Sequence, residues 1–409
     1  MKESIAEQIR ESAALDQHEI VEFTRDMVSI ATENPPGKFY KPCIELIKNK
    51  LSGIGLQSEI IEVPADTATS GSDKYPRYCL LSYCGEGDKV LYFHGHYDVV
   101  SAQSREQFQP YEKGGNIYGR GTSDMKGGIA AMVYAVKAIL TAKIKLNGKI
   151  GLVFVPDEET GGALGAQYLS DNNLLGRDGI GMLLPEPTSG VIWNAHRGAL
   201  TMRITITGRP VHVGLQYRGV NAFENMAPVV TELLEVKEEV EKRMTGYTIH
   251  PAAARNSIMM IGGECTGGSN YNLVPGQCSF SIDRRINPEE DLQTEKQKIV
   301  SILEKFRKDG IDIEFEMIQE EKSSGISEDS PFAQTLVKNI ARVTGRPAKF
   351  EMCPGLLETR FYTEKGMPAF AYGPGLLSVS HGPDEFIKVK DIVNCAVIYA
   401  LTALDVLTD

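Results

Sequence analysis

The sequence predicts an α/β protein in which one sheet-and-helix domain is interrupted by a smaller α+β domain. Three observations lead there. From residue 57 onward, apolar β-rich runs alternate with segments of helical periodicity, the pattern of a sheet with helices on both faces. After "NAHRGA" the style changes: "LTMRITITG" alternates with period two, the mark of a strand with one wet face. After about residue 316 the first style resumes. The expected organisation is a first segment of the larger domain at 1–197, an inserted domain at 198–316, and a second segment of the larger domain at 317–409.

Each element follows from local signals. "QHEIVEFTRDMVSIAT" (17–32) places apolar residues at helical spacing, and "ENPPG" stops it. "KPCIELIKNKLSGIG" reads as a second helix. "QSEIIEVP", "YCLLSYC" and "KVLYFHGHYDVV" read as β-runs, and "SDMKGGIAAMVYAVKAIL" as a helix rich in small residues near its start. "GKIGLVFVPDEE" is a strand ending in acid, and "GMLLPEP" another. The insert reads strand, helix (about 221–244), two strands, helix (288–308), strand, a ferredoxin-like order. A helix at 331–344 and the strands "AKFEM" and "MPAFAYG" complete the chain.

Composition narrows the function classes. With 42% hydrophobic and 24% charged residues, the 409-residue chain is globular rather than disordered. The net charge of −11, with no basic tract, argues against nucleic acid. The N-terminus lacks the apolar core of a signal peptide and no run reaches a membrane span's length, so a cytoplasmic protein without membrane contact is expected. Seven scattered cysteines without a CxxC pair predict free thiols rather than a cysteine zinc site. "GGNIYGRG" and "TGGALG" fail the dinucleotide spacing, and no GxxxxGK[ST] or serine nucleophile elbow occurs.

The chemistry gathers at strand ends. His96 and Asp98 close "KVLYF"; Asp157, Glu158 and Glu159 close "IGLVFV"; Glu186 closes "GMLLP"; Asp124 lies in "GRGTSDMKGG" and His381 in "SVSHGPDE". Ligands of open α/β sheets bind outside the carboxyl ends of the strands. Several acids at one such edge repel one another unless a cation joins them, which calls for one or two divalent metals. Nitrogen and oxygen donors without thiolate suit Zn²⁺, Co²⁺ or Mn²⁺. His96 and Asp98 are two apart and face the same way on a strand, so one can ligate while the other orients it. Adjacent Glu158 and Glu159 cannot point alike, which suits one ligand and one general base. His94 shares the face of His96 and reads as a packing or supporting residue; His196, close to the domain junction, is a weaker substrate candidate.

"GHYDVV", "GRGTSDMKGG", "PDEETGG", "LLPEPT" and "SHGPDE", in this order, resemble the di-zinc aminoacylase and carboxypeptidase G family, which includes acetylornithine deacetylase and succinyl-diaminopimelate desuccinylase. The likeness extends over nearly the whole chain and implies a zinc-exopeptidase-like catalytic domain with an inserted lid and dimerisation domain. It further implies that His96, Asp124 and Glu186 hold one metal, that Asp124, Glu159 and His381 hold the other, and that Asp98 orients His96. Glu158 would be the general base of a metal-bridged water, and the peptide after Asp124 is often cis in such proteins. "GRPVHVGLQYRGVNAFENM" resembles the lid segment, whose His212 would reach the site of a partner in a homodimer. Asn272 and Arg285 would contact the substrate carboxylate. "GLLETRFY" resembles a Gly-x-x-Asp-x-Arg segment, placing Gly355 and Arg360 at the substrate, with Glu358 where the family usually has Asp. The expected reaction is hydrolysis of an N-acyl amino acid by a deacetylase or desuccinylase using two divalent ions, zinc first. A dipeptidase or carboxypeptidase is the alternative, and a non-catalytic metal-binding module the outside one.

Overall fold

A computed structural model describes residues 2–64 and 75–408 of the chain. It divides into two compact units. The larger comprises Met1–Asn194, Ile326–Phe350 and Glu358–Asp409; the smaller comprises Ala195–Gly325 and Glu351–Leu357. The smaller unit thus begins and ends slightly outside the expected 198–316 and takes in a short stretch near residue 354.

The larger unit is built on a mixed sheet. The extended run Arg77–His96 reverses direction near Glu86–Lys89, where Gly85 and Gly87 adopt φ of 103° and 120°, open to glycine without strain. Its two halves flank strand Asn147–Val155: Leu80 faces Phe154 and Cys84 faces Ile150, whereas Leu91 faces Ile150 and His96 faces Val155. The two β-runs of the sequence are therefore two halves of one extended run with a strand between them. Val90–Phe93 also pairs in parallel with Gly179–Leu184, which pairs in parallel with Ala369–Ala371. Parallel pairing sends these strands' carboxyl ends to one edge, and the loops carrying Asp98, Glu158, Glu186 and His381 all leave from it.

Helices Gly127–Thr141 and Val389–Leu407 pack on this sheet, apolar nearly all round and buried along most of their length. Ala130, Ala131, Ala135 and Ala138 on one, with Ala396, Ala400 and Ala403 on the other, allow close approach. A helix at Lys2–Leu15, which the sequence reading left unassigned, buries Ala6, Ile9 and Ala13 in the same core. Gly128, in the first turn of the Gly127–Thr141 helix, makes room for Pro185, since a Cβ there would stand 2.3 Å from the Pro185 carbonyl oxygen. Gly373 approaches Pro185 equally closely. The chain leading into Glu186 is thus gripped between two glycines.

The smaller unit has one antiparallel sheet in the order Asp312–Glu321, Gly198–Thr207, Gln277–Ile286, Ile258–Gly267. Helices Ala222–Val240 and Leu292–Lys308 complete the strand–helix–strand–strand–helix–strand order. Their apolar faces meet Leu200, Met202, Ile204, Phe280 and Ile282 in a separate core. Asn221 and Asp291 cap the two helices, each accepting from a first-turn amide. All seven cysteines are free thiols, and only Cys265 is exposed. Among the described residues no helix is long and apolar enough to cross a membrane.

Candidate metal centre

Asp124 stands at the centre of the strand-end cluster. It lies three residues before helix Gly127–Thr141 in non-helical conformation (φ −124°, ψ 95°), so it caps nothing, and its peptide bond to Met125 is cis. Its two oxygens face different imidazoles. Oδ1 is 3.2 Å from His96 Nε2, and Oδ2 is 3.3 Å from His381 Nε2. His96 Nε2 also lies 3.6 Å from Glu186 Oε1 and 3.9 Å from Glu158 Oε2. His381 Nε2 lies 3.3 Å from Glu159 Oε2. Ligand atoms of His96, Asp124 and Glu159 all fall within 4.8 Å of one another.

Asp98 has two tasks. One oxygen lies 3.4 Å from His96 Nδ1, which also meets the Asp98 carbonyl at 3.1 Å. The carboxylate also accepts the backbone N–H of Glu158 and of Glu159, at 3.3 and 3.2 Å. The "ENPPG" segment supports it: Asn34 donates to Asp98 Oδ2 (2.8 Å) and to Thr160, and Arg77 pairs with Asp157 at 3.0 Å. Lys126, fully buried, donates to the carbonyls of Met27 and Ile30 and so ties the Asp124 turn to the end of helix Gln17–Ser29.

The electrostatics show a deficit of positive charge. Burial, then the charges of Glu159, Glu358 and Asp124, outweigh the attraction of His96 and push the Glu158 carboxyl well above its ordinary range. Burial and the neighbouring acids do the same to Glu186. Burial pulls His96 down, but its bonds to Asp124 and Asp98 win and hold it well above its usual value. Bonds to Asp124 and Glu159 push His381 up to about 10. Buried acids drawn together this way fit divalent cations held by carboxylate and imidazole.

Residues 92–405 match the pattern of peptidase family M20/M25/M40. The chain belongs to this family. It is a metallohydrolase of amide bonds. It is 26% identical over 402 residues to a probable succinyl-diaminopimelate desuccinylase of Staphylococcus epidermidis, covering 92% of this chain and 95% of that protein. Its fold matches the di-peptidase Dug1p of Saccharomyces cerevisiae (TM-score 0.76, 15% identity, 98% of each chain). It also matches a dinuclear metal-binding peptidase of the M20 family from Bacillus subtilis (TM-score 0.69, 15% identity, 97% and 99% of the two chains).

The remaining candidates of this M20/M25/M40 chain have definite places. In the larger unit His94 is buried, with Nε2 2.7 Å from Glu358 and Nδ1 2.9 Å from the Tyr362 hydroxyl. The longer side chain of Glu358 thus reaches a histidine. Arg360 is buried and donates to the Gly161 carbonyl at 2.8 Å, bracing the turn after Glu159. In the smaller unit His212 accepts from the Gly214 amide, and the Val213 amide donates to the carbonyl of Asn272. Arg285 pairs with Asp283 at 2.7 Å. Gly355 lies in the Glu351–Leu357 stretch and donates its amide to Cys353 Sγ. Sequence reasoning gave no role to Asn34, Arg77, Arg120, Lys126 or Glu385. Three of them stand inside motifs singled out for other residues, Arg120 and Lys126 in "GRGTSDMKGG" and Glu385 in "SHGPDE".

Proposed function

We propose that this chain removes the acyl group of an N-acyl amino acid, in the manner of a deacetylase or desuccinylase. The observation that carries the reading is Asp124, which presents one carboxylate oxygen to His96 and the other to His381. His96, Asp124 and Glu186 would hold one divalent ion and Asp124, Glu159 and His381 a second, with zinc the first choice and cobalt or manganese alternatives. Ions held there would supply Lewis-acid charge for the scissile carbonyl and acidify water. Glu158, raised by burial, takes the proton of the attacking water and delivers it to the leaving amine nitrogen. Asp98 fixes the His96 ring and, through the Glu158 and Glu159 amides, the turn bearing base and ligand. The name of the Staphylococcus relative supports the acyl-amino-acid branch.

Asn272 and Arg285 would contact the substrate carboxylate, Gly355 and Arg360 would each be substrate-binding residues, and His212 would serve a partner's site. Exposed Val213, Leu215, Tyr217 and Tyr271, close in sequence to His212 or Asn272, support a homodimer through the smaller unit. The lack of a membrane-crossing helix among the described residues accords with a cytoplasmic enzyme. The test is release of free amine from N-acetyl and N-succinyl amino acids and from dipeptides. Metal-stripped protein would be assayed with and without added Zn²⁺, Co²⁺ or Mn²⁺, beside Glu158→Gln. Turnover of acyl amino acids that needs metal and fails in the variant is expected. Turnover of dipeptides alone would replace the substrate assignment, and failure to bind any divalent ion would sink the reading.

A further inference from the structure

The His381 ring meets Asp124 Oδ2 and Glu159 Oε2 through Nε2, each at 3.3 Å. The side chain is about half exposed, at 51%, and the residue has φ of 64°, in the left-handed region uncommon outside glycine. Its backbone, by contrast, is clamped. Arg120 Nη2 and Gln103 Nε2 both donate to the His381 carbonyl, at 3.1 and 2.9 Å, and Arg120 Nη2 also donates to Gln103 Oε1 at 2.7 Å. The other arm of the Arg120 guanidinium donates to Glu385 Oε2 at 2.6 Å, and both side chains of this ion pair are buried. The second oxygen of Glu385 accepts the backbone N–H of Ser123 and of Asp124, at 2.9 and 3.1 Å. One buried ion pair therefore grips the backbones of two residues more than 250 positions apart in sequence, which face each other across the centre.

We infer that the Arg120–Glu385 pair is a positioning device that sets the spacing between Asp124 and His381, and so governs selectively the metal site that includes His381. The inference rests on the proposed ligand assignment. The planar guanidinium suits the task because its separate N–H groups can serve the carboxylate and the carbonyl at once. A lysine keeps the charge but presents a single ammonium, which cannot span both acceptors. The site of His96 and Glu186 does not depend on the Arg120 arm of this clamp: His96 ends a central strand, the residues before Glu186 are gripped by Gly128 and Gly373, and Glu385 holds the Asp124 amide directly.

The experiment is calorimetric titration of the metal-stripped full-length chain with Zn²⁺. Wild type is expected to take two ions. Arg120→Lys is expected to weaken one of them by roughly 10–100-fold, the range for supporting residues around a metal, and to leave the other unchanged. Combination with ligand variants assigns the site. Added to His381→Ala, Arg120→Lys should cost nothing further; added to His96→Ala, it should cost its full factor. Equal weakening of both ions, no weakening, or full additivity with His381→Ala would overturn the inference. Should Arg120→Lys not fold, judged by its metal-free melting curve, Gln103→Met removes one donor to the His381 carbonyl while leaving the ion pair. The same selective loss, smaller in size, is then expected, and unselective loss or none overturns the inference. A wild type that binds no Zn²⁺ would overturn the functional reading and this inference with it; two ions bound equally well by wild type and variant would overturn this inference alone.

Discussion

Two groups of buried or partly buried glutamates in this molecule meet opposite fates. In the smaller unit, Arg284 Nη2 lies 2.7 Å from Glu290 and 3.1 Å from Glu295, and Arg243 Nη1 reaches the same two acids at 2.8 and 2.9 Å. Burial would raise Glu290, but bonds from Arg284, Ser257 and the Asn287 amide outweigh it and hold the carboxyl at about 2. In the larger unit Glu186 is buried and Glu158 partly buried, yet their carboxyls are pushed upward, because loss of water, and after it the charge of further acids, outweighs the attraction of His96. The difference is where the cation comes from. An acid whose arginine is built into the chain is a structural group; acids whose cation the chain does not supply form a binding site.

The contrast can be broken at several points. Chelation should abolish turnover while leaving the Arg284–Glu290 network intact, read as unchanged hydrogen exchange in strand Gln277–Ile286. Next in size, Glu158→Gln should lower kcat by about 10²–10⁴-fold with no loss of bound metal, measured by steady-state kinetics and elemental analysis. Loss of metal in that variant would make Glu158 a ligand rather than the base. Glu290→Gln breaks a buried pair and should reduce the local stability of Gln277–Ile286 by about 3 kcal/mol, seen as faster exchange. Glu186→Gln should do the reverse in metal-free protein, raising the melting temperature because it relieves repulsion between buried acids. A lower melting temperature would show that Glu186 is already matched within the chain.

The smallest effect concerns acid. The folded-state pKa of Glu290 lies below its ordinary 4.5, so its contribution is present above 4.5 and is lost as pH falls through about 2. Protection of Gln277–Ile286, taken relative to the intrinsic exchange rate at each pH, should fall over that window in wild type, and this pH dependence should flatten in Glu290→Gln.

Much of this was legible in the linear chain. Period-two alternation in "LTMRITITG" marked a strand with one polar face, and the strand Gly198–Thr207 buries alternate residues. The acids after "IGLVFV" and "GMLLP" marked strand ends, and parallel pairing does bring those ends to one edge. The reversal that lays Asn147–Val155 between the halves of Arg77–His96 was not legible, because pairing order leaves no trace in periodicity. Helix Lys2–Leu15 was missed for a related reason: three small or medium apolar residues make a weak stripe until a core exists to receive them. The supports at Asn34, Lys126 and Glu385 were hidden because an isolated polar residue reads as solvated until its partner is known.

By itself, then, the sequence determined where the strands end, which side chains stand at those ends, and that they are acids and imidazoles in excess of nearby cations. These are local properties, set by periodicities of two and 3.6 residues and by chain-breaking residues. Only the tertiary structure decided that one oxygen of Asp124 faces His96 and the other His381, that Glu358 reaches His94, and that Arg120 and Glu385 fasten both sides of the centre. Those contacts join residues from 28 to 265 positions apart. Their geometry depends on sheet order, register and rotamer, which arise only when the chain has closed on itself.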